Sequence, residues 1–232
     1  GQEPGLLVRA PRSTPEILFE GRADWTGDRG ERRRDVVSFE DRTGDGTPDL
    51  VVGFVDESRN VCGSDDTLID PRAFDPQSGA LRSVSLRTLV TTGSEPMLQA
   101  TLAPPEGTAL DVPLVRALSA RSASSTFGTA PALTPPPLSL VDHDPSTAWV
   151  EGQGGPGTWA FVTTEWNAPD LAIRALSFRT ADRADVAPPK AFWIAHDHGR
   201  LRVQLDQAPA PGTRVFIPVP EPLRTRCLSL VI

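Results

Sequence analysis

A chain of 232 residues with 38% hydrophobic and 23% charged residues is long enough to bury a core without staples, and its composition is that of an ordinary folded protein. The net charge of −7 leaves no concentrated positive surface, which excludes nucleic acid as the main partner. No apolar run reaches the roughly 18 residues that cross a bilayer, and the N-terminal GQEPG carries no basic-then-apolar leader, so a signal is either absent or already removed.

Taken in chain order, the local patterns are almost all those of strands. Runs rich in β-branched and aromatic residues fall at 16–23, 35–41, 49–56 and 81–90 in the first half. Further runs fall at 114–120, 158–164, 173–180, 191–196, 201–206, 213–219 and 226–232. Several alternate with period two, as where Leu201, Val203 and Leu205 oppose Arg202, Gln204 and Asp206. Gly and Pro clusters separate the runs, and prolines interrupt every candidate helix. The predicted fold class is therefore all-β. The Pro- and Gly-containing APPEGTALDVP (103–113) predicts an N-terminal antiparallel β domain over 1–103, a linker over 104–113 and a second β domain over 114–232. The Pro-rich 129–138 reads as a surface excursion from the second domain.

Residues 24–28 (DWTGD) and 41–45 (DRTGD) form a faint repeat, each followed by an apolar run. Together they predict three consecutive strands over 16–56 joined by two acidic turns. The second turn, DRTGDGTPD, has the spacing of a cation loop. Asp41, Thr43, Asp45 and Asp49 stand at positions 1, 3, 5 and 9, Thr47 offers its carbonyl at position 7, and Gly46 allows the sharp turn. Hard oxygen donors on a flexible loop suit Ca²⁺. The loop is no EF-hand, since Val52 occupies position 12, where that motif needs a bidentate glutamate. It resembles the calcium loop of FG-GAP and VCBS repeats, which implies a structural calcium ion in a secreted or surface protein. The 24–35 copy carries Arg32, Arg33 and Arg34, whose charge opposes a cation.

Further on, LSLVDHDPSTAWVEG (138–152) leads into a Gly-rich turn and a Trp-bearing strand. This order resembles discoidin, or coagulation-factor type C, modules of the galactose-binding-like class, and is most similar to the NADase-type glycan-binding variety. The resemblance spans about 114–232. It implies a jelly-roll β-sandwich that binds glycan, or a surface protein or lipid head group, through loops at one end. It also implies a structural calcium near Asp142, Asp144 and Thr147. His143 stands where the family has glycine, and TRCLSLVI aligns either with the final family strand, with Leu230 in place of the usual glutamate, or with the penultimate one, in which case the chain would stop before the last. An open sheet edge left that way would invite a strand from an oligomeric partner.

The remaining signals are weaker. Trp166, beside Asn167 at a strand end, is the candidate ligand-contact residue, because an exposed indole can stack on a sugar. Gly152, Gly154 and Gly157 fit a dinucleotide fingerprint only literally, since a strand and no helix follows. His196 and His198 could form half of a metal site, but a polar turn explains them better. Cys62 and Cys227 make either one bridge or two buried thiols. No nucleophile–base motif is present, so the chain is expected to be non-catalytic. The combined expectation is a secreted, periplasmic or cell-surface glycan-binding protein with structural calcium, or else a structural subunit of a surface assembly.

Overall fold

In the computed structural model, the residues described are 6–9, 16–20, 25–26, 32–41, 46, 48–56, 59–64, 67–75, 77–84, 87–89, 91–104, 118–124, 147–151, 159–166 and 172–232. Among them the secondary structure is entirely β, with fifteen strands and no helix. The chain folds as two compact units, one of residues 1–60 with 65–86, the other of 61–64 with 87–232.

In the first unit, β1 (Leu6–Arg9) and β2 (Glu16–Glu20) form a hairpin of their own. A separate five-stranded antiparallel sheet runs β3 (Trp25–Thr26), β4 (Arg32–Glu40), β5 (Asp49–Asp56), β6 (Leu68–Asp75), β7 (Ala80–Ser83). The expected three-strand run over 16–56 is corrected accordingly. The 16–20 strand pairs backwards with β1, and Trp25 and Thr26, good strand formers, pair with Arg33 and Arg32 instead of forming a turn. β5 is buried from Val51 to Asp56, which is why its sequence is a near-continuous apolar run. The β6–β7 turn shows how local chemistry sets register. Gly79, at φ +67°, donates its N–H to the Asp75 carbonyl, while the Asp75 carboxylate accepts from the Gln77 N–H and the Ser78 hydroxyl.

The second unit is a β-sandwich. Its larger sheet has the order β8 (Met97–Gln99), β13 (Gly199–Gln204), β12 (Ala191–His196), β15 (Cys227–Val231), β10 (Phe161–Trp166), β9 (Leu118–Ala123). All its pairs are antiparallel except β13 with β8. The smaller sheet pairs β11 (Ala172–Arg179) with β14 (Arg214–Arg224). Alternation places Phe192, Ile194, Val203 and Leu98 against Val215 and Ile217 of the facing sheet, with Leu176 and Phe178 at the margin. Phe178 meets Phe192 edge-on at 5.4 Å and 83°. This is the sandwich that period two predicts.

One expectation differs here. Residues 97–99, placed in the N-terminal domain from the sequence, pair with β13, so the main run of the second unit begins at Arg87, upstream of the Pro-rich stretch. Of that stretch, 105–113 lie outside the described residues, as do 129–138. The last strand, β15, is paired on both sides, by β10 and by β12, and sits inside the sheet.

The sheet face opposite the sandwich core is also buried where Thr163, Ser229 and Ala195 line up across β10, β15 and β12. The 61–64 turn closes over it. Cys62 and Cys227 form a disulfide with Cα atoms 5.8 Å apart, settling the alternative left open by the sequence. The Cys62 N–H donates to Ser229 Oγ at 2.8 Å, and that hydroxyl also shares a hydrogen bond with Thr163 Oγ1. Ser64 N–H closes the turn on the Val61 carbonyl, with Gly63 at φ +69°. A side chain on Gly63 would meet the His196 carbonyl oxygen at 2.8 Å, so only glycine permits the approach.

Candidate functional site

Two places concentrate the residues singled out from the sequence. The first is the β4–β5 loop. The ladder pairs Glu40 with Asp49, which brings the two ends of the loop, Asp41 and Asp49, to neighbouring positions at its mouth. Gly46 takes φ +83°, as position 6 of such a loop requires, and its N–H donates to Asp41 Oδ2 at 3.0 Å. This bond folds the Asp41 carboxylate back over the loop. Thr43, Asp45 and Thr47 lie outside the described residues. Among those described, no three His, Cys, Asp or Glu side chains gather at one point. Of the second expected calcium set, Asp142 and Asp144 lie outside the described residues and Thr147 is exposed. The three glycines of the literal dinucleotide fingerprint also lie outside.

The second place is one end of the sandwich, where three strand termini meet. A cavity of about 420 Å³ is lined by Glu165 and Trp166 at the end of β10, Asp197 in the β12–β13 turn, and Arg226 and Cys227 at the start of β15. The turns are locked to each other. Asp197 Oδ2 accepts from the Arg226 N–H at 2.7 Å and from Thr225 Oγ1 at 3.0 Å, and Thr225 Oγ1 in turn accepts from the Asp197 N–H. The Trp166 N–H donates to the Arg226 carbonyl. A carboxylate that caps a turn with two hydrogen bonds holds the cavity wall rigid.

Trp166 is in this cavity wall, but the exposed stacking indole expected from the sequence is not what the fold delivers. The residue is 3% exposed, because β10 is still paired at its end with Leu118 of β9 and with the β14–β15 turn. Its indole Nε1–H is buried with no hydrogen-bond partner. Asn167 lies outside the described residues. The residues that sequence reasoning missed are Asp197, Thr225 and Arg226. They are 28 and 29 positions apart, and no local pattern announces the pairing.

Next to this clamp, His196 is 8% exposed and its Nδ1 accepts the His198 N–H at 3.3 Å. Burial, and then the charge of His198, hold its pKa below the ordinary 6.5, against the opposing pull of Asp197. An accepting Nδ1 must be unprotonated, so the bond and the shift agree. The two histidines therefore serve the turn, as the polar-turn reading expects.

At the other end of the same strands, Trp159 sits at φ +68°, a left-handed conformation costly for a bulky residue. Its N–H donates to the Ile232 carbonyl, its carbonyl accepts Thr88 Oγ1 at 2.9 Å, and the Arg87 guanidinium lies 5.1 Å over its ring.

No family model, curated protein or solved structure matches the chain.

Proposed function

We propose that this chain is an exported, non-catalytic binding protein whose β-sandwich recognises glycan at the 165–166, 197 and 226–227 end. The observation that carries the reading is the composition of the cavity. Its volume is within the range of small-molecule sites, and four of its five lining residues, Glu165, Trp166, Asp197 and Arg226, carry polar groups of mixed donor and acceptor character. A hydroxyl both donates and accepts, so a polyhydroxylated ring can satisfy such a mixed wall where a purely anionic or apolar ligand cannot. The disulfide supports export, since such bridges persist in oxidising compartments.

The resemblance to FG-GAP and VCBS loops makes calcium the structural ion of the first unit. Asp41, Thr43, Asp45 and Asp49 would hold it through side chains and Thr47 through its carbonyl, and the Asp41–Gly46 closure supports that fit. The ion would supply a cross-link between the two strand ends. Among the described residues no nucleophile–base pair lines the cavity, and the proposal is accordingly binding without turnover.

A glycan array followed by calorimetry on the wild type, Glu165→Gln and Arg226→Ala tests the reading. The expected result is a hit among neutral or amino sugars, weakened about tenfold in either variant, as loss of one buried-ligand hydrogen bond implies. Silence of the wild type across a broad panel would sink it. A structural role in a surface assembly is the second reading. It is favoured by Val37 and Phe39, which are 48% and 72% exposed and, two positions apart on β4, share one face.

A further inference from the structure

The face of the larger sheet that turns away from the sandwich core continues across β12, β13 and β8, beyond the patch that the 61–64 turn closes over. The registers there run without a slip. Trp193 stands opposite Arg202 and Arg202 opposite Met97, while Ala191, Gln204 and Gln99 form the next row. Phe192, Ile194, Leu201, Val203 and Leu98 belong to the core. Alternation therefore puts Trp193, Arg200, Arg202, Gln204, Met97 and Gln99 on the outer face. Arg202 and Gln99 are exposed and Met97 is 63% exposed, so this part of the face is open.

Its charge is unbalanced. The chain carries a net charge of −7, yet among the described residues neither Arg200 nor Arg202 forms an ion pair. The acids that adjoin these strands in sequence turn their oxygens elsewhere. Asp206, just past β13, accepts from the Gln99 amide at 3.0 Å, and Glu95, just ahead of β8, accepts from the Thr92 and Gly93 N–H groups. The Arg202 guanidinium lies 6.0 Å over the Trp193 ring. A guanidinium resting on an indole is already oriented, so its planar N–H fork loses less freedom on taking up a carboxylate or sulfate. Arg200 and Gln204 flank it on the same strand, each about 7 Å away along the backbone.

The kind of partner follows from what the face lacks. β13 lies between β8 and β12, and β12 between β13 and β15, so the backbone groups of both strands are used within the sheet. An extended peptide laid across it would find no ladder to join. A sugar chain binds through side-chain hydrogen bonds and needs none. We propose that this row binds an acidic polysaccharide, Arg200 and Arg202 taking its carboxylate or sulfate groups and Gln204 its hydroxyls. The surface shares no residue with the cavity at the strand ends, and it takes charged sugars where the cavity takes neutral or amino ones.

Calorimetry on the full chain at low salt tests this, with a polyuronate, a sulfated polysaccharide, uncharged dextran and polyglutamate as titrants. Binding to one or both acidic polysaccharides and none to dextran is expected, and the better titrant identifies the anionic group. Arg200→Gln with Arg202→Gln should weaken binding about tenfold or more, as loss of charge-assisted hydrogen bonds implies. Arg174→Gln with Arg179→Gln removes the same charge from exposed positions on β11 and should change it by less than about twofold. Wild type that ignores both acidic polysaccharides overturns the proposal. So does polyglutamate bound as tightly as the sugars, or equal weakening by the two double variants. Should the Arg200–Arg202 double variant fail to fold, Arg202→Lys keeps the charge and loses the fork, and an affinity equal to that of the wild type overturns the proposal there too. The cavity reading stands or falls on neutral and amino sugars, so its failure leaves these outcomes unchanged.

Discussion

Cutting the Cys62–Cys227 bridge is the perturbation with the largest expected effect that leaves the sequence otherwise intact. The bond closes a separation of 165 residues. In the chain-entropy account a loop of that length stabilises the native state by about 5 kcal/mol, a little above the value for 100 residues. The dependence on length is logarithmic. If residues 65–86 stay folded with the first unit while the second unfolds, halving the effective loop removes only about 0.6 kcal/mol. The substitution Cys62→Ser with Cys227→Ser therefore lowers the stability of the second unit by about 4–5 kcal/mol, or about 10–20 °C in Tm for a chain of this size. Serine is nearly isosteric, and the Cys62 N–H to Ser229 Oγ bond is made by backbone, so the local packing term is small beside the cross-link. Guanidinium unfolding monitored by tryptophan fluorescence, wild type against variant, with dithiothreitol as a second way of opening the bridge, measures the difference. A loss below about 1 kcal/mol by both routes would refute the reasoning, since it would mean that the denatured chain gains no freedom when the bridge is cut.

Gly63→Ala tests the close approach of the 61–64 turn. A methyl group at φ +69° and 2.8 Å from the His196 carbonyl forces a shift, and a loss of about 1–3 kcal/mol in equilibrium unfolding is expected. Calcium binding to the 41–49 loop predicts a melting temperature that rises with added Ca²⁺ and falls with chelator. At a hundred times the dissociation constant the gain is about 2.7 kcal/mol, and Asp45→Ala should abolish the response. A melt that ignores both calcium and chelator in the wild type rules the ion out. His196 predicts a pH dependence of one sign. Its folded pKa lies below 6.5, so above that value neither state binds its proton, and as pH falls below it the unfolded chain does so first. Stability should therefore decline from pH 6.5 downward toward the lowered native pKa, by at most about 1.4 kcal/mol per pH unit. His196→Gln should flatten that part of the stability–pH curve.

The class of the fold was legible residue by residue. Alternation at Leu201, Val203 and Leu205 and the apolar run at 49–56 depend only on which side of a strand faces water, and period two reports that directly. Turn chemistry was legible for the same reason, since Asp41 and Gly46 act within five positions of each other. Strand partnership was not. β2 could pair forward or back with equal local merit, and whether 97–99 joined the first or the second unit depended on an empty rung beside β13, a hundred residues away.

The same division runs through the candidate site. Sequence alone determined an acidic chain made of strands, a nine-residue loop with oxygen donors at alternate positions, and a tryptophan at a strand end. Only the tertiary structure decided that Trp166 is walled in beside Asp197 and Arg226, and that two distant cysteines meet. The physical reason is range. Propensity, alternation and turn chemistry act over a few bonds, whereas burial, register and cross-linking are set by which surfaces exclude water together. That outcome depends on the whole chain.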